Sequence, residues 1–211
     1  MSETQQVKRL IIGVTGASGA AYAVRTLEVL KQVRGLETHL VMTGAARQTI
    51  ALETDRTVAE VEALASHVHG IGQIAAPIAS GSFQTYGMLV VPCSMKSLAG
   101  IAYSISDNLL LRAADVVLKE RKRLVLMVRE TPLHLGHLRA MVQATELGAI
   151  VMPAMPAFYH RPQSVDDIIN QTVNRAFDLL GIELPADLFK RWDGPPRVTR
   201  AVQSRVRKTR R

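Results

Sequence analysis

The side chains best suited to chemistry in this sequence are four cations and a carboxylate. Arg129 and Glu130 directly follow an apolar run, which places them at the end of a strand, while Arg112, Lys119 and Arg175 lie in segments of helical spacing. Cations that converge with an acid suit the departure of a phosphate, because negative charge grows on the bridging oxygen as its bond to carbon breaks. This set therefore indicates a site for a phosphate leaving group.

A glycine-rich turn follows the first apolar run of the chain. The turn spans Thr15 to Ala20, and the segment Ala21 to Val33 behind it has apolar residues at helical spacing. Glycines let the backbone turn sharply and approach a ligand, and the start of a helix offers free N–H groups and partial positive charge. The turn thus suits a phosphate or the edge of a flat cofactor, with the Ser18 hydroxyl beside it. A structural turn without a ligand is the alternative.

Apolar runs alternate with helical segments along the whole chain. After the first run, the predicted strands are Thr38–Met42, Met88–Pro92, Leu124–Val128 and Ala149–Met152. Strands that alternate with helices predict an α/β fold with a doubly wound parallel sheet and helices on both faces. We therefore expect a Rossmann-like, flavodoxin-type, three-layer sandwich that binds its ligand beyond the carboxyl ends of the strands.

The predicted helices have identifiable ends. We expect Asp55 to cap a helix over Thr57–Ser66 and His134 to cap a helix over Leu135–Glu146. Ser164 is expected to cap the last helix, which ends at Gly181. Arg112 and Lys119 lie seven residues apart and so share one helix face, with Asp115 between them. The other predicted helices are Ala45–Leu52, Leu98–Tyr103 and Asn108–Arg121.

Polar side chains follow the predicted strands: Ser18, Thr43, the segment Ser94–Ser97 and Arg129–Glu130. A nicotinamide enzyme needs a carboxylate after the second strand for the adenine ribose, and Val41–Gly44 contains none. A mononucleotide such as FMN, which needs one phosphate site and a slot for its ring, fits better.

Metal and thiol chemistry find little support in the sequence. His67 and His69, like His134 and His137, have no Cys or carboxylate at convincing ligand spacing, so we expect no metal site. The single Cys93 is expected to be a small buried hydrophobe. One cysteine excludes a disulfide framework and predicts a reducing, cytoplasmic location.

The length and charge of the chain predict one domain and a tail. The 211 residues are 47% hydrophobic and contain no run long enough to span a membrane, and we expect no signal peptide. The net charge of +8 comes mostly from seven Lys and Arg between Arg197 and Arg211. We expect residues 1–194 to form a flavoprotein domain and 195–211 a solvated tail, with contact to nucleic acid as the alternative.

Several ordered blocks of the sequence resemble one family. These blocks are Gly13–Ala20, Leu52–Asp55, Val91–Ser94, Arg112–Arg121, Val128–His134 and Pro156–Ser164. Together they resemble the UbiX family of flavin prenyltransferases, formerly described as 3-octaprenyl-4-hydroxybenzoate carboxy-lyases or phenylacrylic acid decarboxylases. The resemblance extends from about Lys8 to Trp192.

The resemblance implies a metal-independent transferase. It would join the dimethylallyl group of dimethylallyl phosphate to N5 and C6 of reduced FMN, and the prenylated FMN would serve a UbiD-type decarboxylase, as in ubiquinone biosynthesis or aromatic acid decarboxylation. It also implies a homododecamer with active sites at subunit junctions.

The resemblance further implies roles for residues at matching positions. FMN would be held by Gly16, Ala17, Ser18, Thr43, Ser94, Met95, Lys96, Ser97 and Arg129. Dimethylallyl phosphate would be held by Tyr159 and Arg175, with Lys119 and Arg112 from a neighbouring subunit. Ser18 and Glu53 would manage protons near N5, Glu130 would be the acid and base, and Trp192 would cover the ring. Met95 and Lys96 stand where members of the family often carry small residues or Thr.

Two other functions stay open at this point. A flavin-dependent cysteine decarboxylase of the same superfamily would carry a Pro-x-Met-Asn stretch, which this sequence lacks. A nucleic-acid-binding protein would act through the basic tail, although no aromatic residues interleave with its charges.

Overall fold

The fold is a six-stranded parallel sheet with helices on both faces, seen in a computed structural model that describes residues 7–194. The strands are β1 (Lys8–Val14), β2 (Leu36–Met42), β3 (His67–His69), β4 (Gly87–Cys93), β5 (Arg123–Val128) and β6 (Ile150–Val151). The helices are α1 (Ala20–Leu30), α2 (Gly44–Glu53), α3 (Val58–Glu62), α4 (Met95–Ala102), α5 (Leu109–Lys119), α6 (Leu135–Glu146) and α7 (Val165–Leu180), with a short 3-10 turn at Pro77–Ala79. The predicted α/β class is confirmed.

The strands lie in the order β3-β2-β1-β4-β5-β6, and every neighbouring pair is parallel. The chain leaves β1 toward β2 on one side and returns to β4 on the other, so the order reverses between β1 and β4. In such sheets the crevice at the carboxyl ends of the two strands flanking the reversal is the usual ligand site. The fold therefore directs attention to the loops that follow Val14 and Cys93.

Two apolar layers sandwich the sheet. One packs α1 and α7 on one face and includes Leu27 and Phe177; the other packs α4, α5 and α6 on the opposite face and includes Leu98 and Leu110. Because helices cover both faces, the central strands are buried along nearly their whole length. This burial explains why they appear in the sequence as continuous apolar runs.

Some predicted boundaries were wrong. The helix expected over Thr57–Ser66 is only Val58–Glu62, and its cap is Thr57, not Asp55: Thr57 and Glu60 form a reciprocal capping box. The three-residue strand β3 follows this helix, and it was not predicted because its residues form no apolar run. The predicted caps His134 and Ser164, and the end at Gly181, are confirmed.

Among residues 7–194, no helix combines the length and the apolar character needed to cross a membrane. Cys93 is buried, and burial raises the pKa of its thiol to about 12. Within the described part of the chain it therefore behaves as the sequence predicts, as a small apolar side chain and not as a nucleophile.

Candidate functional site

The loops after β1 and β4 are joined by the buried side chain of Thr15. Its hydroxyl donates to the carbonyl oxygen of Pro92 at 2.8 Å and accepts from the backbone N–H of Ser94, also at 2.8 Å. Thr15 is 1% exposed. These two bonds fix the loops relative to each other at the point where the strand order reverses. The sequence places Thr15 in the glycine-rich turn but does not indicate this contact with the loop after β4.

The glycine-rich loop packs tightly against the start of α2. A Cβ atom at Gly16 would overlap the methyl group of Ala45, so only glycine fits there. Gly19 has φ of 111°, a left-handed conformation that glycine adopts without strain. The backbone at Gly16 is nevertheless exposed on its outer side. The loop thus presents bare backbone toward solvent beside Ser18.

The carboxylate of Glu53 occupies the N-terminus of α1. Its Oε2 atom accepts from the backbone N–H of Gly19 at 2.7 Å and of Ala20 at 2.9 Å. Partial burial opposes ionisation, but hydrogen bonds from the Ser18 hydroxyl and from these two N–H groups, together with the charge of Arg129, hold the pKa of Glu53 below its usual value. These two N–H groups are therefore already paired, so of the two ligands that the turn was expected to suit, the edge of a flat cofactor fits better than a phosphate.

A second helix start, that of α4, lies beside this loop. Ser94 caps α4, its Oγ accepting from the N–H of Ser97 at 3.3 Å and lying 3.2 Å from the Ser97 hydroxyl. Lys96 is exposed, whereas Met95 packs its side chain against the apolar layer of α5 and α6. This position thus holds an exposed cation beside two hydroxyls that bond to each other, and Met95 offers chiefly its backbone.

Thr43, Arg129 and Glu130 complete the set at the carboxyl ends of the strands. The Thr43 hydroxyl caps α2 by accepting from Ala46 at 3.1 Å. The backbone N–H of Arg129 donates to the Cys93 carbonyl at 3.1 Å, and its side chain is exposed. Glu130 is exposed and accepts only a local bond, from the N–H of Thr131 at 3.0 Å, among the bonds of residues 7–194. Its carboxylate can therefore exchange protons with a ligand.

Tyr159 and Trp192 meet on the surface although 33 residues separate them in sequence. Their ring centroids lie 6.1 Å apart at 74°, an edge-to-face arrangement. The Gln171 amide donates to the Tyr159 hydroxyl at 3.4 Å. Both aromatic rings are about half exposed. The contact gives this part of the surface an aromatic wall that can cover an apolar ligand.

Arg175 contacts a different set of residues. It lies on α7 and pairs with Asp178 at 2.6 Å, and Arg191 binds the same carboxylate. Hydrogen bonds from Arg191 and Arg175 outweigh partial burial and lower the pKa of Asp178. Among the described residues, no hydrogen bond joins Arg175 to the loops after β1 and β4.

Lys119 and Arg112 lie on α5, away from those loops. Arg112 forms an ion pair with Asp115 at 2.7 Å, as the sequence predicts, whereas Lys119 pairs with Glu120. Lys119 ends α5, four residues before β5 begins, so it lies at the amino end of the sheet. The loops after β1 and β4 lie at the opposite, carboxyl end. In a single chain the structure therefore does not bring Lys119 to the other predicted site residues.

Comparison with known families and proteins gives consistent results. The Flavoprotein family matches residues 1–176. A relative from Escherichia coli described as flavin prenyltransferase UbiX is 65% identical over 188 residues, which cover 89% of this chain and all of the relative. A relative with the same description from Thauera aromatica is 55% identical over 186 residues, covering 88% of this chain and 94% of the relative.

Solved structures resemble the fold closely. The crystal structure of AnUbiX in complex with FMN and dimethylallyl pyrophosphate superposes with a TM-score of 0.86 at 47% identity, covering 90% of this chain and all of that one. A dodecameric FMN-dependent UbiX-like decarboxylase from Escherichia coli superposes with a TM-score of 0.85 at 48% identity, covering 88% of this chain and all of that one. The FMN-dependent cysteine decarboxylase SpaF, at 22% identity and a TM-score of 0.56, shares only the fold.

Proposed function

The chain belongs to the UbiX family of flavin prenyltransferases, and on that basis we propose that it transfers the dimethylallyl group of dimethylallyl phosphate to reduced FMN. The observation that carries this proposal is the 65% identity to a flavin prenyltransferase over that protein's whole length. Reduced FMN supplies the electron-rich ring whose N5 and C6 accept the prenyl group, giving prenylated FMN. A UbiD-type decarboxylase would then use this product, in ubiquinone biosynthesis or in aromatic acid decarboxylation.

The residues at the carboxyl ends of the strands fit FMN. The exposed backbone at Gly16 and the hydroxyl of the half-buried Ser18 provide a surface for the edge of a flat ring, with the buried Ala17 between them. Ser94, Lys96, Ser97, Thr43 and Arg129 supply hydroxyl groups and positive charge for the phosphate, and Met95 contributes its backbone. Because Glu53 already occupies the start of α1, the phosphate is better placed at the start of α4.

Charge development decides which residues assist the departing phosphate. As the bond between carbon and the bridging oxygen breaks, negative charge accumulates on phosphate, and nearby Lys and Arg side chains stabilise it in a site that excludes water. Arg129 and Arg175 supply this charge, together with Lys119 and Arg112 of a neighbouring subunit. Tyr159 adds a hydroxyl, and Glu130 protonates the leaving group and accepts the proton from C6.

The aromatic wall and Glu53 have complementary roles. Tyr159 and Trp192 keep water from an allylic cation, which water would otherwise quench, and their rings attract positive charge. Glu53, held ionised by Ser18 and two backbone N–H groups, is poised to accept a proton near N5 through the Ser18 hydroxyl. Both roles use contacts already formed within one chain.

We further propose a homododecamer with shared sites. The distant position of Lys119 supports this assembly, since the cation can reach a phosphate only in another chain. The outer face of α6 also presents three exposed leucine and valine side chains, Leu135, Leu138 and Val142, next to Tyr103. An apolar patch of this kind is typical of a contact between protein subunits. A single buried cysteine is consistent with the proposed cytoplasmic location.

Mass spectrometry of the flavin tests the transferase proposal directly. The purified chain is incubated without oxygen with reduced FMN and dimethylallyl phosphate, and in parallel with the pyrophosphate. A flavin heavier by one isoprenyl unit is the expected product. Recovery of unmodified FMN from an otherwise FMN-loaded protein would contradict the proposal.

Two controls separate the alternative functions. A chain ending before Arg197 should retain full transfer activity, because the resemblance stops before the tail; the tail itself lies outside the described residues. Binding of nucleic acid that is lost on this truncation would support the nucleic-acid alternative. Release of CO2 from peptidyl cysteine would support the decarboxylase alternative, which no residue pattern in this chain favours.

A further inference from the structure

Three histidines and a glutamate converge at the edge of the sheet, away from the loops after β1 and β4. Glu37 and His39 project from the same face of β2, and His67 and His69 from the same face of the edge strand β3. The register pairs His39 directly with His67. The separation of some 30 residues between the two strands hides this cluster from sequence inspection.

The donor atoms in this cluster lie close together. One ligand atom each from Glu37, His39 and His67 lies within 4.8 Å of the other two. His39 is 4% exposed, and its buried Nε2 atom has no hydrogen-bond partner among residues 7–194. An unpaired buried ring nitrogen is costly, and a metal ion is one of the few partners that satisfies it.

A second contact orients His39 as metal-bound histidines are usually oriented. Its Nδ1 atom lies 3.0 Å from Nε2 of His69. If Nδ1 carries the proton and donates it to His69, the free lone pair of His39 is on Nε2. Ligand histidines commonly donate their other ring N–H to a neighbouring acceptor in this way, which fixes the ring and the tautomer.

We propose that Glu37, His39 and His67 form a binding site for a divalent transition metal ion, with Zn²⁺ the best match, and that His69 positions His39. Two imidazoles and one carboxylate are a familiar ligand set for tetrahedral Zn²⁺ with a fourth position for water. Donors bonded to one such ion lie about 3.3 Å apart, so no pair of the three groups has to approach by more than roughly 1.5 Å.

The side chains that must move are free to do so. His67 is exposed, so its ring, now stacked on His39 with centroids 4.6 Å apart, can rotate toward the ion. Arg9 binds only Oε2 of Glu37, at 3.2 Å, which leaves Oε1 for the metal.

The site would clamp the short edge strand β3 to β2. A metal ion that binds only the folded protein raises its thermal stability. The cluster shares no residue with the proposed FMN site, so this inference is independent of the proposed function.

Titration of the untagged, chelator-treated full chain with Zn²⁺ tests the proposal. We expect one Zn²⁺ per chain by calorimetry, a rise in melting temperature, and the visible absorption of tetrahedral Co²⁺ when cobalt replaces zinc. His67→Ala and Glu37→Gln should each weaken binding at least roughly tenfold. His137→Ala is the matched control, since it removes a histidine from the separate pair with His134 and should leave the affinity unchanged.

Two results would overturn the proposal. One is an absence of stoichiometric binding to the native chain. The other is an affinity that is equal in the native chain and in both His67→Ala and Glu37→Gln. His67 is exposed, so loss of binding in its variant at unchanged circular dichroism reports the site and not the fold.

Discussion

Replacing Thr15 with valine removes both side-chain hydrogen bonds between the loops after β1 and β4 and leaves the side-chain shape almost unchanged. The substitution leaves the N–H of Ser94 without this partner. The carbonyl of Pro92 keeps only the weaker bond from the backbone N–H of Thr15, at 3.3 Å.

The expected loss of stability follows from the N–H of Ser94 and the carbonyl of Pro92, which lose their bonds to the Thr15 hydroxyl. Each hydrogen bond contributes about 1 kcal/mol net, and a buried donor left unsatisfied costs about 1–3 kcal/mol. The free energy of unfolding should therefore fall by about 3 kcal/mol, which lowers the melting temperature by roughly 6–12 °C for a chain of this size. FMN should also bind more weakly, because both loops contribute to its proposed site.

Thr26 provides a matched control for this substitution. It is 0% exposed, and within the part of the chain that the structure describes its Oγ1 atom has no hydrogen-bond partner. Thr26→Val removes an unsatisfied hydroxyl, so we expect stability to be unchanged or raised by up to about 1 kcal/mol. Urea unfolding at equal protein concentration measures both variants. Equal loss of stability in the two would refute the assignment of a special role to Thr15.

Three further predictions address the proposed chemistry. Glu53→Gln should be less stable than the native chain above pH 4.5, because only the ionised carboxylate gains from its hydrogen-bond donors. The difference in stability should vanish as the pH falls through the lowered pKa of Glu53. Thermal melts at several pH values measure this difference, and a difference that does not change with pH would exclude the proposed role of the ionised carboxylate. Arg175→Ala should raise the concentration of dimethylallyl phosphate needed for half-maximal rate without weakening FMN binding, and unchanged saturation would remove Arg175 from the phosphate site. Glu130→Gln and Lys119→Ala should each be nearly inactive. If each site takes Glu130 from one chain and Lys119 from another, oligomers assembled from equal amounts of the two variants should regain activity in about a quarter of their sites. No recovery of activity would place both residues of a site in one chain.

The fold was largely predictable because the strands are buried on both faces. Burial on both sides of a parallel sheet requires continuous apolar runs, and such runs stand out in a sequence. The strand β3 has no such run, and it exists because His67–His69 pairs with β2. The wrong cap of α3 was avoidable, since Thr57 and Glu60 carry the spacing of a capping box.

The site was predictable in part, for a similar reason. Thr43, Ser94 and Arg129 directly follow strands, Ser18 lies in the turn after β1, and the ends of parallel strands meet at one edge of the sheet. Contacts between distant segments were not predictable. The bond from Ser94 to Thr15 spans 79 residues, and the bonds from Gly19 and Ala20 to Glu53 span 34 and 33. The local sequence around either residue of such a pair does not indicate its hydrogen-bond partner.

The position of Lys119 cannot be reconciled with its proposed role within a single chain. A helix that returns from the carboxyl end of one strand to the amino end of the next must place its last residue at the amino end of the sheet. Lys119 is that last residue, so the right-handed crossover that makes the fold also separates this cation from the FMN loops. A role for Lys119 in phosphate departure therefore requires a second chain. If Lys119→Ala leaves prenyl transfer unimpaired, Lys119 gives no reason to propose sites that are shared between chains.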